Sequence, residues 1–304
     1  MKRLAYIAFL FSLVFQSNIK GQQFCTYQYK ALDAYIAKDY LTAEKYLDTA
    51  FSKCDQVPQK AYSWHIKGFI EKDIYRIIDK KDYNSKYREK AIESILKSLA
   101  LDSVEQDLEE KAVQQNRQVL AYLGSTYLND VASLMDTINF KKAIAFYSKY
   151  KTTYRAAKPN FNFNEQEIQY NNSLAGIYEE KFDNNPVLYS DYIDKSVDLY
   201  MQSLAMDSLN YSANYNLGII YHNHGVSVIK NMDNEISLEA LVNSQETAVE
   251  YFTKALPFLK KAYYIKPDVE NNLTALAAVY ISLHDYEKSN MYLEQLNKLK
   301  QTND

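Results

Sequence analysis

The side chains able to do chemistry in this chain are few and scattered. His222 and His224 form an H-x-H pair, which in a strand would turn two imidazoles toward one metal ion. Their surroundings read as helix, and on a helix residues two apart point about 200° from each other, so the pair does not converge. His65 and His284 stand in other parts of the chain, with no carboxylate or thiol cluster at ligand spacing, and no metal site is expected. Glu109-Glu110 and Glu179-Glu180 are adjacent acids on predicted helices, the pattern of a solvated face. There is no G-x-S-x-G, phosphate loop, dinucleotide fingerprint or H-E-x-x-H, so neither an enzyme nor a cofactor is expected.

The elements that would position any site are helices. Six glycines and five prolines in 304 residues suit a helix-dominated chain, and no segment has strand periodicity. A helical-hairpin pattern recurs. Its cleanest copy starts at Tyr211, with Leu217, Gly218 and Tyr221 in one helix and, after an insertion, Ala255, Leu259, Ala262 and Pro267 in the next. Leu273, Leu276, Ala277 and Tyr280 open the following copy, which turns at His284-Asp285 and continues through Ser289, Leu293 and Leu296. Four further hairpins precede these, marked by Tyr40, Ala43, Leu47 and Ala50; by Trp64, Gly68, Ala91 and Ile95; by Leu120, Leu123, Gly124, Tyr127 and Ala143; and by Leu174, Ala175, Tyr178, Ser196 and Tyr200. Small residues recur where two helices would cross closely and large ones where holes need filling.

This order, L-G-x2-Y followed by A-x3-L, A and P, resembles the 34-residue tetratricopeptide (TPR) repeat and covers most of the chain. The resemblance implies an all-α, TPR-like superhelical solenoid of six antiparallel hairpins over residues 22–301, with a short tail at 302–304. The chain departs from the family in length. Extra residues lie around Ile74 to Tyr87, Asn129 to Ile138, Glu180 to Tyr192 and Val226 to Thr247, and these are expected to lengthen several helices. Pro257 inside a closing helix must kink it or begin a new first turn. Inserts of this kind look like secreted TPR proteins of the Bacteroidetes type.

Residues 1–21 read differently: Lys2 and Arg3, an apolar run from Leu4 to Phe15, then polar Gln16-Ser17-Asn18. That is the pattern of a secretory leader cut after Gly21, too short for the ~20 residues of a spanning helix. An N-terminal core helix is the other reading. Phe24 before Cys25 stands where a lipidation signal needs a small residue, so no lipid anchor is expected. Losing Lys2, Arg3 and Lys20 would take the net charge from −3 to −6, and nucleic acid is not an expected partner.

Cys25 would begin the first helix of hairpin one and Cys54 end its second, so an antiparallel hairpin brings them to one end. In an exported chain they are expected to pair, contributing roughly 3 kcal/mol by loop closure; two separately buried thiols are the alternative. The resemblance also implies a groove lined by the first helix of each hairpin, on the stripe that the packing motif leaves open. That stripe carries Tyr62, His65, Phe69 and Lys72, then Gln118, Ala121, Ser125 and Leu128, then Gln169, Asn172 and Glu179, then Ser212, Tyr215, Ile219, His222 and Asn223. It is polar and aromatic, and lacks the Lys/Asn/Arg clamp by which TPR cochaperones hold a C-terminal carboxylate. A periplasmic adaptor holding a peptide or protein surface is the leading expectation; a glycan-binding accessory of an outer-membrane uptake system is the alternative. Mass spectrometry of exported protein should find a mature start near Gln22 and no free thiol before reduction; intact Met1 with two reactive thiols would overturn the leader and the cysteine pairing together.

Overall fold

A computed structural model describes residues 25–232 and 237–303; the leader expected at residues 1–21 lies outside them. The described residues hold twelve α-helices and no strand. In chain order they are α1 (Thr26–Ile36), α2 (Tyr40–Lys53), α3 (Ala61–Asp73), α4 (Lys86–Glu105), α5 (Glu110–Leu134), α6 (Phe140–Ala157), α7 (Asn164–Asn184), α8 (Tyr192–Met206), α9 (Tyr211–Lys230), α10 (Leu238–Ile265), α11 (Glu270–Ser282) and α12 (Tyr286–Asn303). They fall into two compact units. One takes the described residues up to Tyr127 together with Thr152–Pro159, the other Leu128–Lys151 and the described residues from Asn160 onward.

Pairing within hairpins is antiparallel and follows the small residues. In the second unit Gly218 of α9 lies against Leu259 of α10, while Gly225, two turns further along α9, lies against Phe252, earlier in α10. A Cβ built on Gly218 would sit 2.5 Å from the Leu259 side chain and 3.3 Å from its backbone nitrogen. In the first unit Gly68 of α3 meets Ile95 of α4 equally closely. Leu217, Ala255, Leu259 and Ala262 are fully buried, as are Ala43 and Ala50 in hairpin one. Apolar area removed from water along these seams, at about 25 cal/mol per Å², is the main stabilising term.

The inserts lengthen helices, as the sequence leads one to expect. α9 and α10 reach 20 and 28 residues against 11 and 14 for α1 and α2. Pro257 lies within α10 and does not end it. In hairpin two the insert continues α3 through a π-helical turn, Ile74–Ile78. Several helix starts use side-chain caps: Asp39 accepts from the Thr42 amide, Asn210 from Ala213 and Ser237 from Ala240. Lys38, Gln106 and His284 adopt the left-handed conformation at helix ends, a place commonly taken by glycine.

Cys25 and Cys54 form a disulfide with Cα atoms 6.0 Å apart, joining the outer ends of α1 and α2. Gly218→Ala should destabilise the protein by about 1–2 kcal/mol, because overpacking a helix seam outweighs the gain in helix propensity. Gly176→Ala in α7, where an added Cβ meets nothing within 4 Å, should be neutral or stabilise by up to about 1 kcal/mol. Urea unfolding of both variants checks the contrast; equal effects would refute the close-approach reading.

Candidate binding surface

In the first unit, α3 is anchored by one face and leaves another half-open. The indole of Trp64 donates to the Pro58 carbonyl at 2.8 Å and packs edge-on to Phe51, while Ile66 and Ile70 enter the core. The stripe left over carries Tyr62, His65, Phe69 and Lys72 as a ladder of contacts. Tyr62 and His65 stack at 5.9 Å, His65 and Phe69 lie 4.5 Å apart, and the Lys72 ammonium sits 4.4 Å over the Phe69 ring.

A buried polar chain holds this ladder in place. Asn116 of α5 is fully buried, and its amide donates to Ser98 Oγ at 3.0 Å, which donates to the Ala61 carbonyl at 2.8 Å. With its amide nitrogen so used, Asn116 presents Oδ1 to His65 Nδ1 at 2.8 Å, so that ring nitrogen carries the proton. Burial lowers the His65 pKa from its ordinary value, partly offset by Asn116. The imidazole is fixed in a single orientation beside two aromatic rings.

The ladder runs into a cavity of about 270 Å³ between α3 and α5. Phe69 and Val119 supply its apolar wall, Gln115, Gln118 and Tyr122 its polar wall, and Lys72 and Arg76 its charge. Arg76 lies on the π-helical turn. Both cations lean on one buried carboxylate: Asp73 Oδ1 is 2.9 Å from Arg76 Nη2 and 3.3 Å from Lys72 Nζ, while Asp73 Oδ2 accepts from the Tyr35 hydroxyl at 2.7 Å. Burial lowers the Lys72 pKa despite Asp73, and raises that of Tyr122.

In the second unit the stripe residues have mostly found partners within the protein. Asn172 donates to Asn210 Oδ1 at 2.9 Å, bracing the cap of α9. Glu179 accepts from Tyr200 at 2.6 Å and Ser196 at 3.2 Å, and burial raises its carboxyl pKa. Tyr215 stacks on Tyr211, and Tyr215 and Ile219 pack against the core formed with α10, α11 and α12. Ser282 donates to the Ala278 carbonyl, so His222 Nε2, 3.2 Å from Ser282 Oγ, is the donor there; its ring lies 5.4 Å from Phe252. Gln169 and Asn223 are exposed. His224 contacts Tyr251, on another face of the helix from His222.

Arg76 escapes a reading by repeat phase because it lies on the π-helical turn, and Gln115, Val119 and Tyr122 lie beside the α5 stripe and not on it. Lys72 and Arg76, four apart, and Gln115 and Tyr122, three and four from Gln118, were the available signals. Arg88 is another surprise: only 1% exposed, it stacks 3.8 Å from the Tyr127 ring and donates to the Tyr83 carbonyl.

No protein-family model and no curated protein matches the chain. Among solved structures it is similar to the crystal structure of MamA, with 16% identity over 76% of this chain and 92% of that one and a TM-score of 0.33. A monomeric IFIT1 mutant with Gppp-AAAA shares 13% identity over 92% of this chain and 60% of that one, TM-score 0.36. The TPR2AB-domain:pHSP90 complex of yeast Sti1 shares 13% over 90% and 89%, TM-score 0.27. Among the described residues no helix is long and apolar enough to cross a membrane.

Burial lowers the pKa values of His65, His222 and His224, so the unfolded chain takes up their protons first as pH falls through about 6.5. Their contribution to stability is complete above that value and declines below it. Glu71 and Glu179, raised by burial, act oppositely, favouring the folded state as pH falls toward about 4.5. NMR titration should place the three imidazole midpoints below about 6.5; midpoints at or above it would contradict the burial.

Proposed function

We propose that the chain is a non-enzymatic adaptor that holds an extended protein segment, with the α3–α5 surface as its principal contact. The observation that carries this reading is the ladder Tyr62–His65–Phe69, which is rigidly held through Asn116 yet not consumed by packing. Tyr62 is 47% exposed. Held aromatics give large contact area at low entropic cost. The stripe on α9 serves more as a packing surface, offering Asn223 and the edge of Tyr215.

The adaptor is proposed to work in the periplasm. The leader-like residues 1–21 and the Cys25–Cys54 bridge support an oxidising compartment. The inserted lengths resembling secreted TPR proteins of the Bacteroidetes type fit the same setting.

Tyr62→Ala combined with Phe69→Ala should weaken partner capture from periplasmic extract by about 1–3 kcal/mol, the usual cost of truncating aromatic anchors. Helix content and melting temperature should change little. Undiminished capture would remove the α3–α5 surface from the account. Glycan-array binding by the wild type, with no protein captured, would favour the glycan-binding alternative.

A further inference from the structure

The cavity between α3 and α5 has a charge imbalance that its apolar wall makes expensive. Its lining contains two cations and no carboxylate, and the single Asp73 behind it is shared between both. Asp73 is 4% exposed; its Oδ2 receives the Tyr35 hydroxyl, while Oδ1 lies within ion-pair distance of both cations without an aligned hydrogen bond. Arg76 remains 47% exposed at its side chain, with a planar fork of donors of which Asp73 engages one. Lys72 is only 14% exposed, and the burial that lowers its pKa is a cost that an incoming anion would relieve. The Tyr122 hydroxyl is buried and has no hydrogen-bond partner, although such groups are normally satisfied. Two cations and the amides of Gln115 and Gln118 thus line one cavity beside Phe69 and Val119.

From this we infer that the cavity is a subsite for an acidic side chain, aspartate or glutamate, within the bound segment, with an apolar neighbour lying against Phe69 and Val119. The inference rests on the protein-binding reading above and narrows it. Arg76 takes the carboxylate through its outward N–H groups, and Lys72 adds charge. A cavity of about 270 Å³ accommodates one side chain and its flank, not a folded surface. Because Arg76 comes from the π-helical turn inserted after α3, the subsite belongs to this chain's own departure from the repeat. Such turns frequently mark functional positions.

The test is an NMR titration of the full chain, following the side-chain amides of Gln115 and Gln118. The probes are capped pentapeptides with leucine–glutamate–leucine at the centre, the glutamine counterpart, and the glutamine peptide with a free C-terminal carboxylate. The glutamate probe should bind about fivefold more tightly than its capped glutamine counterpart, as suits partly exposed charge-assisted hydrogen bonds. Arg76→Gln with Lys72→Gln should abolish that preference while leaving the weaker binding intact. Equal binding of the two capped probes would overturn the acidic subsite and leave the peptide-binding surface standing. Preference for the free carboxylate alone would overturn it too, pointing to chain ends. Failure of every probe to move either amide would overturn both readings.

Discussion

Everything in this molecule depends on two helices of a hairpin approaching closely enough that one side can carry no Cβ or only a methyl group. Gly218 against Leu259, Gly225 against Phe252 and Gly68 against Ile95 are the tightest examples, and fully buried alanines such as Ala43, Ala175 and Ala255 keep the other seams narrow. Close approach turns ordinary dispersion and area burial into a defined crossing. It also sets the phase of each first helix: once the small residues face the partner helix, residues two positions away, about 200° round the helix, must face elsewhere. The proposed binding surface is a by-product of packing geometry. It needs no catalytic residues to justify it.

The two units use that freed face differently. On α3 the polar chain from Ala61 through Ser98 and Asn116 ends at His65, and so orders a surface without covering it. On α9 the equivalent resource goes inward: Tyr211 donates to Asn272 and His222 to Ser282, tying α9 to α11. Buried hydrogen bonds of this kind specify one arrangement more than they add net stability. The aromatic ladder of the first unit keeps the larger share of unsatisfied contact capacity.

Much of this was legible in the residues. Leu217, Gly218, Ala255 and Leu259 are buried where the repeat pattern puts them, and Cys25 and Cys54 meet because an antiparallel hairpin returns its ends to one place. That Tyr62, His65 and Phe69 share one face is readable from their spacing; that this face lines a groove is what the resemblance implies. What spacing cannot show is which neighbour a polar side chain chooses. Glu179 turns to Tyr200, and Asn172 to Asn210, because those hydroxyl and amide groups happen to be within reach. Arg88, among the charged residues Lys86, Glu89 and Lys90, is almost wholly buried because Tyr127 and Tyr75 flank its guanidinium. The cavity was hidden for a third reason: a π-helical turn breaks the 3.6-residue phase just where Arg76 is placed.

The central claim is that the partner lies on the α3–α5 surface, and site-specific photo-crosslinking tests it most directly. A benzophenone side chain in place of Tyr62 or Gln118 should give covalent adducts with the captured partner, whereas one in place of exposed Lys97 on α4 should give none. Adducts formed only from Val242, on the extended part of α10, or equally from all positions, would contradict the account.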